Sequence, residues 1–238
     1  MAEPKYVEIL SQLRTRCADL AVGSKLSSER ALAAEFGVSA MTIRQSLSKL
    51  GEEGWIRRTR GSGTYVSRPV VAMGPSLTSL TEDLRRLGLT PGAKVLRFEP
   101  VIPDLETTTI LALRPNEQAV VLERLRTADG EPLCHEISVY PARLKQILSA
   151  ADLTRSVHET LAAEGVVPYS TFRRVRAVVA SPNESALLEL PAGAPALEIV
   201  DTFSDALGEV VQHVRSRYRF DRYEVVSNIV RLPHPLND

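Results

Sequence analysis

Residues 27–53 carry the sequence SSERALAAEFGVSAMTIRQSLSKLGEE, which contains two helical patterns with almost no linking chain between them. The first pattern starts at a pair of serines, which are good helix caps, and stops at Gly37, because glycine readily takes the left-handed conformation that closes a helix. The second starts at Ser39 and continues to about Glu53, with apolar residues at helical spacing. Two helices joined by so tight a turn are typical of the helix-turn-helix motif, whose second helix enters the DNA major groove.

The chain on either side of this motif completes a small domain. Apolar residues recur at helical spacing over residues 4–20, and this periodicity predicts a helix before the motif. After the motif, two short strand-like runs flank a glycine-containing turn at residues 60–63 and predict a hairpin. Three helices and a hairpin describe a winged helix-turn-helix domain, whose wing carries Arg57, Arg58 and Arg60 toward DNA phosphates. A small helical bundle in which the hairpin only caps the core is the alternative.

The formal net charge of the 238-residue chain is zero, with 29 basic and 29 acidic side chains. Taken alone, this balance argues against a nucleic-acid partner. The charges are unevenly distributed, however, because residues 1–68 contain 11 basic and 7 acidic side chains, a net charge of +4. The remaining residues contain 18 basic and 22 acidic side chains, a net charge of −4. A basic N-terminal domain followed by a larger acidic one is typical of a DNA-binding protein with an additional domain.

Other classes of protein are disfavoured by the composition. With 44% apolar and 24% charged residues, the chain is typical of a globular protein, and no apolar run is long enough to span a membrane. The first residues lack the pattern of a signal peptide, which predicts a cytoplasmic protein. Cys17 and Cys134 are too few and too far apart for a disulfide framework or a zinc site, so no metal or other cofactor is expected.

The second helix of the motif has a polar face suited to reading DNA. Met41 and Gln45 point directly away from its apolar side, and Arg44 lies at the edge of that exposed face. The whole segment, including the sequence GSGTYV at residues 61–66, closely resembles the DNA-binding domain of the GntR family of transcriptional regulators. Ala40 stands where many members carry a guanine-reading arginine, so we expect a changed operator preference at that base. Together, the resemblance and the helical spacing predict DNA contacts from Arg30, Ser39, Ala40, Met41, Thr42, Arg44, Gln45, Arg58, Arg60 and Gly61.

The rest of the chain predicts a second domain of the α+β class. Two prolines and a glycine predict a linker over residues 69–76, between a DNA-binding domain at 1–68 and a second domain at 77–238. Strand-like runs succeed one another as in hairpins, with helices between them, which indicates an antiparallel sheet flanked by helices. The predicted helices are 78–87, 142–149, 157–164 and 183–190. The predicted strands are 95–102, 108–113, 119–127, 133–140, 172–180, 196–203, 210–220 and 224–230.

A candidate binding site follows from two arginines in this domain. Arg124 and Arg126 are two residues apart on a predicted strand, so both leave the same face of the sheet. A three-residue loop containing Gly130 would place Glu136 on that face as well, whereas a two-residue loop would place it on the opposite face. Paired guanidinium groups suit a phosphate or carboxylate. From the residues alone, a solvated ladder of charges is the alternative.

The second domain resembles the UTRA effector-binding domain, which is similar in fold to chorismate lyase, and the whole chain is identified as a member of the HutC subfamily of GntR regulators. The resemblance rests on LTSLTEDLR at 77–85, LERLRTADGEP at 122–132 and YRFDRY at 218–223. It implies that a phosphate is held by Thr81, Arg124, Arg126 and Ser156, and that a sugar is lined by Glu136 and Tyr218. His158 stands in place of an expected phosphate-binding tyrosine and Gln212 in place of an expected glutamate.

These observations predict a homodimeric transcriptional regulator, which we expect to act as a repressor. Its partners are a double-stranded DNA operator with an inverted repeat and a small anionic effector, for which a sugar phosphate is one candidate. Two other functions compete with this prediction. One is a DNA-binding dimer that needs no effector. The other is an enzyme resembling chorismate lyase, which the lack of any catalytic motif around the four histidines disfavours.

Overall fold

The computed structural model describes residues 5–59, 61–68, 70–74 and 77–227. The chain divides into two compact units, Met1–Val70 and Val71–Asp238. Within the described ranges, no helix combines the length and the apolar character needed to cross a bilayer.

The first unit contains three helices and a two-stranded hairpin, as the sequence predicts. The helices are α1 (Lys5–Asp19), α2 (Glu29–Phe36) and α3 (Ala40–Glu52), and the antiparallel strands are β1 (Ile56–Thr59) and β2 (Gly63–Val66). Ser28 and Ser39 are the helix caps, because their hydroxyl groups accept hydrogen bonds from the amides of Ala31 and Thr42. Gly37 ends α2 with a φ of 64°. The core consists mainly of Leu13, Leu32, Ile43, Leu47, Leu50 and Trp55.

Arg68 fastens the end of the hairpin to the end of α1. Its guanidinium group donates to the carbonyl oxygens of Cys17 at 2.7 Å, Ala18 at 2.9 Å and Leu20 at 3.0 Å. It also lies 5.7 Å from the centre of the Trp55 ring. The last carbonyl groups of a helix have no partner within the helix, so this buried arginine satisfies groups that would otherwise be costly to bury.

The second unit is built on a six-stranded sheet in which all neighbouring strands are antiparallel, with the order β4-β5-β6-β9-β8-β7. The strands of this unit are β3 (Val71–Met73), β4 (Pro91–Val101), β5 (Ala119–Ala128), β6 (Glu131–Pro141), β7 (Ser170–Val179), β8 (Pro195–Ser204), β9 (Val210–Arg219) and β10 (Tyr223–Val225). The helices are α4 (Leu80–Arg86), α5 (Leu105–Ile110), α6 (Lys145–Ala150), α7 (Val157–Ala163) and α8 (Pro182–Leu187), with a 3-10 turn at Ala142–Leu144. This architecture confirms the predicted α+β class.

Helices cover both faces of the sheet. On one face, Leu148 of α6 and Leu161 of α7 pack against Leu122 of β5. On the other face, the chain that follows α8 packs against Leu125 of β5. Leu122 and Leu125 are an odd number of residues apart, so their side chains leave opposite faces of the strand. The face that bears Leu122 also bears the candidate site.

Part of the predicted linker is a strand. Residues 71–73 form β3, which pairs in parallel with β10, and the amide of Val71 donates to the carbonyl of Arg222 at 2.8 Å. Val71 is fully buried beside Leu84 and Tyr223. Prolines and glycine near this segment predicted an irregular chain, but they do not prevent a three-residue strand whose apolar side chain joins a core. Pro69, Pro75 and Ser76 lie outside the described residues.

The predicted strand over residues 108–113 is wrong, because α5 covers residues 108–110 and a turn follows it. The threonines favour a strand, but Asp104 caps a helix here by accepting a hydrogen bond from the amide of Thr107 at 2.7 Å. The strand predicted over residues 224–230 is also shorter in the structure, where it corresponds to β10. Residues 228–230 lie outside the described part of the chain.

Candidate functional site

The first candidate surface is the exposed side of α3 and the neighbouring hairpin. The described residues of the predicted DNA-binding set are all exposed apart from Thr42, which is partly buried. Met41 has 67% of its surface exposed, which is high for a large apolar side chain. The hydroxyl groups of Ser39 and Thr42 lie 2.9 Å apart at the start of α3. Polar groups, an exposed methionine and an exposed arginine are therefore accessible on α3, as DNA contacts require.

Glu29 connects two of the predicted DNA-binding arginines, although it is not among the predicted site residues. One carboxylate oxygen accepts from Arg44 Nε at 3.2 Å, and the other accepts from Arg58 Nη2 at 3.3 Å. The recognition helix and the wing thus converge on the first residue of α2. An acidic residue in a first turn is expected for helix stability, and only the folded arrangement shows that it also reaches both arginines.

The wing turn is described in part. Gly61 is exposed and has a φ of 74°, a conformation that glycine adopts without strain. Arg60, which the sequence places in the DNA-binding set, lies outside the described residues.

The second candidate site is a pocket in the second unit, on the face of the sheet that bears Leu122. All eight residues of the predicted effector-binding set line it. The cavity holds about 60 Å³, enough for a few water molecules. Its wall also contains Ser79, Tyr140, Arg173, Asp201 and Ser216, which the sequence did not predict as site residues.

A bulge in β6 places Glu136 on the same face of the sheet as the two arginines. The turn between β5 and β6 has two residues, Asp129 and Gly130, with φ values of 53° and 83°. Such a loop was expected to place Glu136 on the opposite face, and that expectation is wrong. Arg126 pairs with Cys134 and Thr127 with Pro132, so the buried Leu133 is an extra residue that shifts the register by one. Arg124 and Glu136 are consequently direct partners across the strands.

The centre of the pocket is a buried cluster of two arginines and one glutamate. Glu136 Oε1 accepts from Arg124 Nε at 3.0 Å and Nη2 at 2.5 Å, while Oε2 accepts from Arg126 Nη1 at 3.2 Å. Arg124 Nη1 also donates to the carbonyl groups of Leu153 and Arg155, each at 3.1 Å. Arg126 Nη2 donates to Thr81 Oγ1 at 2.8 Å. Among the described residues, Arg126 Nε is buried and has no acceptor.

The electrostatics of this cluster keep Glu136 ionised. Burial raises the pKa of its carboxyl group, but the charges of Arg124 and Arg126 and the hydrogen bonds from Arg124 outweigh burial and hold the pKa at about 2. Two buried cations therefore share one anion. A second pair in the wall is balanced, because Arg173 donates to both oxygens of Asp201 at 2.8 and 2.9 Å.

A hydrogen-bonded chain that starts at His158 forms another part of the wall. His158 Nε2 lies 2.7 Å from Gln212 Oε1, and the amide nitrogen of Gln212 donates to Ser138 Oγ and Tyr140 Oη, each at 2.9 Å. The carboxamide oxygen is an acceptor, so His158 Nε2 carries the proton in this arrangement. Burial raises the pKa of Tyr140 to about 12, so its hydroxyl remains neutral.

The other predicted residues occupy fixed positions in the wall. Ser156 caps α7, and its hydroxyl lies 3.5 Å from that of Ser79. Tyr218 is buried and stacks on Tyr223 with 3.8 Å between ring centres. Over the described ranges, no three His, Cys, Asp or Glu side chains are grouped so that they could hold a metal ion. The arrangement is suited to binding a small anion.

Comparison with known proteins assigns both units to families. The family described as "Bacterial regulatory proteins, gntR family" matches residues 5–66, and the UTRA domain matches residues 86–224. The chain therefore belongs to the GntR family, in the type that carries a UTRA domain, and is a DNA-binding transcriptional regulator.

Several relatives cover almost the whole chain. It is 33% identical over 233 residues to the HTH-type transcriptional repressor NagR of Bacillus subtilis, with 96% of both chains covered. It is 27% identical to the mannosyl-D-glycerate transport/metabolism system repressor MngR of Escherichia coli, covering 93% of this chain and 94% of the relative. The crystal structure of PhnF from Mycobacterium smegmatis matches with a TM-score of 0.72 and 25% identity, covering 93% of this chain and 98% of the other.

Proposed function

We propose that this regulator is a repressor whose operator binding is controlled by a small anion held between Arg124 and Arg126. The observation that carries the proposal is the unequal number of charges in the pocket. Two buried guanidinium groups share the carboxylate of Glu136, and the nearby pair of Arg173 and Asp201 is balanced. A buried site with an excess positive charge favours an anionic ligand.

The unpartnered nitrogen of Arg126 indicates where the anion binds. Arg126 Nε is a buried donor without an acceptor among the described residues, and such a group costs free energy unless it finds a partner. Thr81 Oγ1 already lies 2.8 Å from the same side chain. A phosphate or carboxylate beside Arg126 accepts from both groups and neutralises the excess charge.

The uncharged part of the ligand lies against His158 and Gln212 in this proposal. These side chains form a network of hydrogen-bond donors and acceptors with Ser138 and Tyr140, and such a network suits hydroxyl or amide groups. A sugar phosphate or sugar acid combines the two chemistries. One relative is described as a repressor of a mannosyl-D-glycerate system, which is consistent with a ligand of this class.

Binding requires the pocket to open. The cavity of about 60 Å³ is too small for a sugar phosphate. We propose that the ligand anion competes with Glu136 for the arginines and thereby moves β6 or the loop that contributes the carbonyl groups of Leu153 and Arg155. A ligand controls DNA binding only if it binds two conformations unequally.

On DNA, we propose that a homodimer places two copies of α3 in successive major grooves of an inverted repeat. Arg44 and Gln45 read bases, and Arg58 and Arg60 of the wing contact phosphates. The bacterial chromosome is the proposed partner, so the proposed site of action is the cytoplasm.

Two measurements test this function. Sequencing the genomic fragments that the purified protein selects gives the operator, and an inverted repeat is expected. A thermal-shift screen then compares sugar phosphates and sugar acids with the corresponding uncharged sugars. Only the anions should raise the melting temperature, since a ligand specific for the folded state stabilises it.

The small cavity also favours a second candidate function, a DNA-binding dimer that needs no effector. Arg126→Ala distinguishes the two, with Arg143→Ala as control because Arg143 is exposed and, among the described residues, pairs with groups outside the pocket. An effector pocket loses its thermal shift in the first variant and keeps it in the second. If no anion in the screen shifts the melting temperature of the wild type, the second candidate is favoured.

A further inference from the structure

Glu29 lies between two of the arginines that we propose to contact DNA. It is the first residue of α2, directly after the cap Ser28, and its side chain is 32% exposed. Its carboxylate pairs with Arg44 of α3 through one oxygen and with Arg58 of β1 through the other. The two arginines come from elements that are separate in the chain, and both are about half exposed.

We propose that Glu29 is a positioning and specificity-determining residue for DNA binding. Its carboxylate aligns Arg44 and Arg58 in the free protein and opposes contact with DNA unless a correctly placed phosphate or base replaces it. This inference rests on the proposed DNA contacts of the two arginines.

The energetics of exposed ion pairs support a role in binding rather than in folding. Such pairs add little to stability, because water and salt screen them. They are also easily exchanged for another anion. Without Glu29, two like charges lie close together on flexible side chains, and their ordering must occur when DNA binds. A shared carboxylate establishes part of this order in advance.

The negative charge has a second effect, on DNA of unrelated sequence. Nonspecific binding depends almost entirely on attraction between basic side chains and phosphates. Glu29 halves the net charge of the group that it forms with Arg44 and Arg58, from +2 to +1. It therefore weakens nonspecific binding, while operator DNA recovers the loss through base contacts that unrelated DNA cannot provide.

Glu29→Gln tests the proposal, with Glu35→Gln as matched control. Glu35 lies on the same helix, is exposed and pairs only with Arg16 among the described residues, so its loss removes the same charge from a different surface. Affinities are measured for a duplex carrying the sequence that the wild type selects and for a scrambled duplex of equal length, over a series of salt concentrations.

For Glu29→Gln we expect the scrambled duplex to bind about 3–10-fold more tightly. The slope of log affinity against log salt concentration should become steeper by about one. The selected duplex should bind no more tightly than before, so the ratio of the two affinities falls by a similar factor. Glu35→Gln should leave the ratio unchanged. A Glu29→Gln variant that changes both affinities by one factor, or that behaves like Glu35→Gln, overturns the proposal.

Glu29→Asp provides a second test if the first variant folds poorly. It keeps the charge but shortens the side chain, so it does not span both arginines. A positioning role predicts a lower affinity ratio here too, whereas wild-type behaviour contradicts it.

Arg44→Ala and Arg58→Ala distinguish a failure of the proposed DNA surface from a failure of the role of Glu29. If neither weakens DNA binding, the proposed DNA surface is wrong; if they do and the Glu29 variants behave like the control, only the role of Glu29 is wrong.

Discussion

Glu136 lies directly opposite Arg124 across β5 and β6, and one of its oxygens accepts two hydrogen bonds from that arginine. The contact depends on the bulge at Leu133, without which His135 would occupy this position. A buried carboxylate with two cationic neighbours connects the stability of the second unit to pH. It also makes the glutamate a competitor of any anion that enters the pocket.

The first prediction concerns acid stability. The pKa of Glu136 falls from 4.5 in the unfolded chain to about 2 in the folded protein. A lowered pKa contributes stability that is present above pH 4.5 and is lost as the pH falls toward 2. The full contribution is about 3 kcal/mol, of which about 2 kcal/mol disappears between pH 5 and pH 3.

Urea unfolding of the wild type and of Glu136→Gln at several pH values measures this contribution. The variant should be less stable at neutral pH, because two buried guanidinium groups lose their carboxylate. Its free energy of unfolding should fall about 2 kcal/mol less than that of the wild type between pH 5 and pH 3. Parallel pH profiles would show that Glu136 is not the group responsible.

The second prediction concerns anion binding by Arg126. For any anion that stabilises the wild type, Arg126→Ala should weaken binding by about 10–150-fold. The substitution removes charge-assisted hydrogen bonds worth about 1.5–3 kcal/mol. Arg126→Lys should recover only part of the affinity, since an ammonium group lacks the planar fork. Isothermal titration gives the affinities. Equal affinities for wild type and Arg126→Ala would place the ligand elsewhere.

The third prediction concerns DNA recognition by Arg44. Arg44→Ala should weaken operator binding by about 5–150-fold, the equivalent of about 1–3 kcal/mol for a good base contact. Arg14→Ala is the control, because Arg14 also pairs with a glutamate but lies on α1. Fluorescence anisotropy at physiological salt measures both. An unchanged affinity in Arg44→Ala would show that Arg44 does not read the operator.

The fourth prediction concerns the stability of the first unit. Arg68→Ala removes three hydrogen bonds to the end of α1, and we expect a loss of about 2–4 kcal/mol. Trp55 is the single tryptophan of the chain, so its fluorescence reports unfolding of this unit. Arg57→Ala changes an exposed arginine of the wing and should alter stability by less than about 0.5 kcal/mol. Equal midpoints for the two variants would show that the anchoring contributes little.

The first unit could be predicted almost completely because its signals are local. Capping serines, Gly37 and the helical spacing of apolar residues each act within a few positions, and the structure confirms the elements that they predict. The second unit contains features that depend on distant contacts. Leu133 differs in no visible way from an ordinary strand residue, so its bulge could not be foreseen. The threonines of α5 favour a strand, but the cap at Asp104 stabilises a helix there instead.

The candidate sites show the same division. Periodicity places Arg124 and Arg126 on one face without further information. Other contacts join residues from different elements. Arg44 and Arg58 both pair with Glu29, and a hydrogen-bonded chain runs from His158 through Gln212 to Tyr140. No spacing in the sequence encodes those contacts, because they depend on how helices and strands pack.

The pairing of β3 with β10 marks the point at which the chain enters the second unit. Arg68 belongs to the first unit and Val71 to the second, and only three virtual bonds of about 3.8 Å join their Cα atoms. Those atoms remain within about 11 Å of each other in every state of the protein. The chain therefore passes from an anchored residue of the first unit to a buried strand residue of the second unit within three positions.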